Sequence, residues 1–304
     1  MIAAVDESLL QLAKKFENLV VLNSDCTFDS GLKNFPRFFE ERFLNFGLAQ
    51  GNMASSAAGF TVRGKIPFLI GFASQLPLKA FKQIRDDICY PNLNVKIIGT
   101  QAGISSAQMG PSMHATSDIA LMRSLPNMKV LVPSNYFETK SAIEAMMVDY
   151  GPTYLRLNIE REEDSLQKSF SFKFGSSEVV RKGRKMAVLS LGSMTGLVSR
   201  VVNEMADEGF DLHLINVSSF KPLDEKLIKK LGRKFEVLVT IEDHSLIGGL
   251  YSAVKEVVSE GVKVRGIGIE DKFGRSEPLS DLRSFLELSE EAVKEKLKAF
   301  MREI

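Results

Sequence analysis

Short apolar runs alternate with longer amphipathic stretches from one end of the chain to the other. Residues 19–23, 67–72, 95–99, 128–132 and 153–157 are five or six residues of nearly uninterrupted apolar character. Runs of that length and composition predict strands buried on both faces, as in a parallel sheet covered by helices. Between them, 49–62 is small and apolar and predicts a tightly packed helix ending at Gly64. Residues 78–88 predict a helix with its charges on one face, 118–125 a short helix, and 138–148 another.

The pattern breaks between 158 and 185, where NIEREEDSLQKSFSFKFGSSEVVRKGRK is charged and polar. This stretch reads as an interdomain connection with an edge strand at 177–181. Afterwards the alternation restarts. Strands are expected at 186–192, 212–217, 237–241 and 262–269, and helices at 195–208, 223–231, 250–259 and 289–302. The expected organisation is α/β, with two doubly wound domains, each a mainly parallel sheet with helices on both faces. Their bounds are 1–160 and 185–304, joined by a linker over 161–184.

Composition narrows the function. With 304 residues, 44% hydrophobic and 25% charged, the chain has the apolar content of a globular protein rather than a disordered one. Lys+Arg 39 against Asp+Glu 38 leaves a formal charge of +1. That balance argues against nucleic acid as a partner, which would call for a basic surface, while leaving room for a small anion. No apolar run reaches the roughly 18 residues of a membrane helix, so no membrane role is expected. The two cysteines, Cys26 and Cys89, cannot build a disulfide framework, and the first residues carry no secretory pattern. The simplest compartment is a reduced cytoplasm. Three histidines and no Cys/His cluster provide no metal site within the chain.

The phosphate-cradling loops GxGxxG and GxxxxGK[ST] are absent, as is the GxSxG elbow. Gly248-Gly249, after Glu242-Asp-His244, reads as a tight strand-to-helix turn. The segments densest in glycine and polar residues are 23–27, 45–52 and 103–114. All fall at the expected carboxyl ends of first-domain strands, where open α/β sheets bind ligands.

Several segments resemble the C-terminal section of transketolase, and more closely the separately encoded C-terminal subunit of split transketolases. They are RFLNFGLAQGNM (42–53), GKIPFLIGFA (64–73), QIRDDICYPNLNVKIIGTQAGIS (83–105) and DIALMRSLPNMKVLVPSNYFET (118–139). PTYLRL (152–157), FKPLDEKLI (220–228), IEDHSLIGGL (241–250) and IGIEDKFGRS (267–276) continue the resemblance in order along nearly the whole chain. It implies a pyrimidine-binding domain followed by a transketolase C-terminal domain. It also implies thiamine diphosphate and Mg²⁺ bound at an interface between subunits. The family holds the diphosphate and its cation with a GDG-type motif in the N-terminal section, and no GDG occurs here. The resemblance therefore implies an N-terminal transketolase-like subunit as partner, with self-association of the pair into a heterotetramer.

The scaffold positions Asp25, Gly47, Asn52, Gly110, Asp118, Pro133, Glu138, Gly248 and Gly249 match the family pattern, and Asp118 is expected to cap its helix. The chemical positions depart from it. The family's GIAEQN reads Gly47-Leu48-Ala49-Gln50-Gly51-Asn52, so Gln50 stands where a glutamate exchanges a proton with the aminopyrimidine. An amide hydrogen-bonds but does not exchange that proton. In the loop before Ile119, Met109 and Met113 fall on the family's Asp and substrate-contacting His, and His114 follows one place later. Phe72 matches an aromatic that packs the aminopyrimidine, and Gln75 stands where a second is usual. Ile159 falls on the family's phosphate-contacting Arg, with Arg161 near enough to reach an anion. The implied site is thus Gln50 and His114 at the catalytic positions, Phe72, Gln75 and Asp25 on the cofactor, and Met113 and Arg161 on the substrate.

Two functions follow from the resemblance. One is the C-terminal subunit of a split enzyme moving a two-carbon ketol unit between sugar phosphates. The other is a non-catalytic or regulatory partner that keeps the fold and has lost the proton relay. The β chain of a 2-oxoacid dehydrogenase and a 1-deoxyxylulose-phosphate synthase fragment share the two-domain plan but match these segments less closely.

Overall fold

A computed structural model describes residues 1–25, 31–159 and 172–303. The Arg161 position lies outside the described residues. Among them, the strands form a seven-stranded and a five-stranded sheet. The first contains β1 (Leu19–Asn23), β2 (Phe43–Asn45), β3 (Ile66–Phe72), β4 (Lys96–Thr100), β5 (Lys129–Leu131) and β6 (Thr153–Arg156). The second contains β7 (Glu178–Arg181), β8 (Met186–Ser190), β9 (Leu212–Asn216), β11 (Val237–Ser245) and β12 (Lys263–Ile269). Between β9 and β11 the chain leaves its own sheet and adds β10 (Ser219–Lys221) to the edge of the first.

The orders are β10-β5-β6-β4-β3-β1-β2 and β12-β11-β8-β9-β7. Every pairing is parallel except the two edge strands, β10 on β5 and β7 on β9. Parallel pairing needs crossovers, and helices supply them: Gln50–Val62, Asp118–Ser124 and Tyr136–Val148 in the first half, then Met194–Asp207, Glu225–Lys234, Leu250–Val257 and Glu290–Met301. The fold is the α/β class that the apolar runs predict.

Alternation along β3 shows how the sheet is covered. Leu69 packs on one face with Leu22, Met53 and Ile97, while Phe68 and Ile70 pack on the other with Val5, Leu9 and Ile143. The first of these clusters continues into the second sheet through Val132, Leu189, Ile215 and Phe220. One apolar core therefore spans both halves.

The structure differs from the expected elements in several places. The single helix expected over 78–88 is three short pieces, Leu76–Lys79, Phe81–Gln83 and a π-helical turn Ile84–Cys89. Ile84, Ile88 and Cys89 of that turn are buried. The amino-terminal helix Ile2–Lys15 was not among the expected elements. It buries Val5, Leu9 and Leu12 on one face, and the buried Asp6 carboxylate accepts the N–H groups of Asn34 and Phe35. The three-residue strands β2 and β10 were also unpredicted, being too short for a periodic signal.

One buried charge sits inside the first sheet. The Lys96 side chain is fully buried on β4, and its ammonium donates to the carbonyls of Asp149 at 2.7 Å and Gly151 at 2.8 Å. Burial pushes its pKa down from 10.5 to about 7, against the opposing pull of Asp149. Between those values the unfolded chain binds a proton that the folded chain releases, so stability rises with pH through that window. In urea unfolding from pH 7 to pH 10, wild type should gain stability relative to Lys96→Met. Parallel pH profiles for the two proteins would contradict this assignment.

Candidate active site

The strands β1, β2 and β3 end side by side, Asn23 being aligned with both Asn45 and Ile70. Where the ladder runs out, side chains must take up the backbone groups. Asn45 does so: its Oδ1 accepts the N–H of Asp25 at 3.2 Å and of Gly47 at 2.9 Å, and its Nδ2 donates to the Asp25 carboxylate at 3.3 Å. Asp25 and Gly47 both have left-handed backbones, with φ of 55° and 58°. A Cβ on Gly47 would meet nothing within 4 Å, so backbone conformation rather than crowding calls for glycine there.

Gly47 leads into the Gln50–Val62 helix, whose first residue is Gln50. This side chain is only 3% exposed, and its Oε1 has no hydrogen-bond partner among the described residues. An orphaned buried amide oxygen costs about 1–3 kcal/mol and marks a place where a donor is missing.

At the end of β3, Phe72 is half-buried and stacks on no other ring among the described residues. Gln75, three residues later, places Nε2 3.4 Å from the Met113 sulfur and 3.4 Å from the Ser112 carbonyl. Ser74 Oγ lies 4.0 Å from the same sulfur. The structure thus brings Gln75 and Met113 together and ties Asp25 to Asn45.

His114 goes elsewhere. It leaves the Pro111–Met113 turn in an extended conformation, and its Nε2 lies 3.3 Å from the Ala107 carbonyl. A Cβ on Gly274 of the second half would come within 2.6 Å of its Nδ1. The ring is thus packed between the loop and the second half, while the neighbouring Met113 meets Gln75 and Ser74. Burial lowers its pKa and keeps it neutral, the Ala107 bond opposing. Ile159 is 41% exposed at the end of β6.

Beneath this edge lies a network that the sequence does not announce. Arg156, the last residue of β6, is fully buried. Its Nε donates to Asp118 at 3.0 Å and its Nη1 to Asp243 of β11 at 2.8 Å, while Nη2 reaches the carbonyls of Ala115 and Asp243. Tyr154 Oη adds a 2.7 Å bond to Asp118, and Asn158 Nδ2 a 2.7 Å bond to Asp243. Burial alone would raise the Asp243 pKa, but Arg156 outweighs it and holds the carboxyl below its usual range. Asp118, expected to cap its helix, spends its carboxylate on Arg156 and Tyr154 and makes no capping bond. Asn216 at the end of β9 adds a second link across the halves, donating to Glu138 at 3.1 Å.

Next to Asp243, Glu242 is wholly buried and accepts the N–H groups of Leu250 at 2.6 Å and Tyr251 at 2.8 Å, closing the amino end of the Leu250–Val257 helix. Gly249 is the turn residue there because a Cβ would sit 2.1 Å from the Glu242 carboxylate. His244 is buried beside them; its Nδ1 bonds the Ser245 carbonyl at 2.7 Å, so Nε2 is the acceptor facing the Ala120 N–H. Among the described residues no three His, Cys, Asp or Glu side chains gather into a group that could hold a metal ion. No helix among them is long and apolar enough to cross a membrane.

Two mainly parallel sheets, with polar loops gathered at the carboxyl edge of the first, are the frame that the family models recognise. The transketolase pyrimidine-binding domain matches residues 1–161, and the transketolase C-terminal domain residues 175–293, so this chain belongs to the transketolase family. It is 36% identical, over 97% of its length and 94% of the other, to a candidate transketolase C-terminal section of Methanocaldococcus jannaschii. A 6-deoxy-6-sulfo-D-fructose transketolase subunit of Clostridium sp. is 31% identical over 88% of this chain and 83% of that one. The solved structure of a split-gene transketolase, an inactive β4 tetramer, superposes with a TM-score of 0.90 at 35% identity, covering 98% of this chain and 97% of that one.

The central network makes a sharp prediction. Arg156→Met should lower unfolding stability by about 3–5 kcal/mol, because it strands two buried carboxylates. Arg200→Met, which removes a half-exposed pair with Glu290, should cost no more than about 1 kcal/mol. Urea denaturation of both variants checks the contrast.

Proposed function

We propose that this chain is the C-terminal subunit of a split transketolase-like enzyme, which moves a two-carbon ketol unit between sugar phosphates together with an N-terminal subunit. Support comes from relatives that match it nearly end to end and are themselves C-terminal sections or subunits. The split-gene relative is an inactive tetramer of β chains. By the same logic this chain alone would self-associate and would need its partner for turnover.

The single observation that carries the site assignment is the orphaned Oε1 of buried Gln50 at the start of the Gln50–Val62 helix. An acceptor waiting for a donor fits the aminopyrimidine of thiamine diphosphate, and the half-buried Phe72 ring at the end of β3 offers an aromatic face. When bound, that cofactor supplies a carbon nucleophile for breaking and making bonds next to a carbonyl. Gln50 would accept from the pyrimidine amine, Phe72 would cover its face, and Asp25 and Gln75 would border it. The diphosphate and Mg²⁺ would fall to the partner subunit, in keeping with the missing GDG motif.

This chain's own acid–base capacity at that edge is small. Gln50 holds a hydrogen bond but takes no proton at neutral pH. Met113, with a weakly accepting thioether, would meet the substrate where a stronger hydrogen-bonding group would orient it. His114 is engaged with Ala107, and we assign it to loop positioning unless the loop turns by one residue. Arg161, beyond the described residues, would receive the substrate's anionic group. A relative acting on a sulfosugar makes a sulfonate a credible alternative to a phosphate there.

The test is ketol transfer by the reconstituted pair with saturating thiamine diphosphate and Mg²⁺. The pair should turn over and the isolated chain should not. Gln50→Glu should raise the rate by about 10²-fold or more, the contribution typical of a positioned acid–base group. If both pairs assemble and bind cofactor but neither transfers a ketol unit to any donor–acceptor set, the chain is a non-catalytic partner instead.

A further inference from the structure

A cavity of about 490 Å³ opens in the second half between β7, the start of β9 and the Glu225–Lys234 helix. It lies at the amino ends of the parallel strands of the five-stranded sheet. Asp243, Asn216 and the rest of the interdomain network lie at their carboxyl ends. The five residues of β9 separate the two, about 13 Å of strand. Nothing in the proposed ketol transfer uses this cavity.

Its lining divides into an apolar floor and a cationic rim. Val179, Leu227 and Leu231 form the floor, and Lys182, Arg184, Lys230 and Lys234 stand around it. The one carboxylate lining it, Asp211, is already neutralised by Arg181 and Arg184, each at 3.2 Å. Lys182, Lys230 and Lys234 have no carboxylate within ion-pair distance among the described residues. Lys234 also sits over the Phe235 ring, its ammonium 4.7 Å from the centroid, and three ammonium groups without a carboxylate partner around one concavity favour a bound anion.

A histidine donor points the same way. His213 is 8% exposed, and its ring stacks on Phe235 at 5.4 Å between centroids. Its Nδ1 accepts the N–H of Gly183 at 3.1 Å, so the neutral ring carries its proton on Nε2. Burial and the nearby Lys234 lower its pKa and favour that neutral form. The Nε2–H makes no hydrogen bond among the described residues, and the ring lines the cavity. Solvent reaches this donor, and so does a ligand that enters the cavity.

We propose that this cavity binds an organic phosphate: an anionic group held by Lys182, Lys230, Lys234 and the His213 Nε2–H, with an apolar body seated on Val179, Leu227 and Leu231. The floor matters as much as the rim. Inorganic phosphate would satisfy the cations but leave the apolar surface wet, so a ligand carrying both parts binds better.

The experiment is calorimetric titration of the full-length chain with adenosine 5′-diphosphate and, separately, phenyl phosphate. Inorganic phosphate and adenosine serve as half-ligands. At least one organic phosphate should bind at one site per chain, ten times or more tighter than either half-ligand. Lys230→Glu with Lys234→Glu, two exposed helix positions, should weaken binding at least tenfold without lowering Tm. His213→Phe keeps the ring stack and removes the donor, and should weaken binding several-fold, with circular dichroism confirming the fold. No binding by either organic phosphate, equal binding by inorganic phosphate, or affinity unmoved by the charge reversals would overturn the proposal. None of these outcomes bears on ketol transfer, which is measured separately.

Discussion

Arg156 is the constraint around which the two halves are arranged. A guanidinium taken wholly out of water needs its charge and its donors satisfied by the protein. Here the partners come from both halves: Asp118 and the Ala115 carbonyl from the first, Asp243 from the second. The geometry leaves little freedom, since one planar group fixes two carboxylates and two carbonyls at once. Tyr154 and Asn158 then orient those carboxylates. The continuous apolar core supplies most of the adhesion between halves. The buried charges dictate the register in which they adhere.

That register positions the loops above it. The segment 103–114 is anchored through Gly103, where a Cβ would collide with Asp243 at 1.8 Å, and through its bridge to Ala115. Met113 and His114 emerge from this anchored segment on opposite sides. One meets Gln75, the other packs toward Gly274. The carboxyl edge is thus anchored where it touches the second half, while Phe72 and Gln75 are only half-buried.

Much of this was readable from the chain. The long strands announce themselves as apolar runs, and the polar loops at their carboxyl ends mark the edge that carries the candidate site. What escapes has physical reasons. Strands of three residues, such as β2 and β10, carry no periodicity. The amino-terminal helix does carry one, in Val5, Leu9 and Leu12. Arg156 is visible as a charge in the apolar run TYLRL, and such a charge demands buried carboxylates. Asp243, 87 positions away, can be matched to it only in three dimensions. Whether Met113 or His114 faces Gln75 turns on a single residue of rotation through a short 3-10 turn, which residue types do not encode.

The strand β10 gives the fold an order of assembly. During synthesis the first six strands of the large sheet emerge early, yet its last edge position stays empty until β7, β8 and β9 have also been made. Only then can Ser219–Lys221 return to pair with β5. The nascent first half must wait on the ribosome with an unpaired sheet edge, a feature that invites association with other chains. Cutting the chain between its halves would make that vacancy permanent.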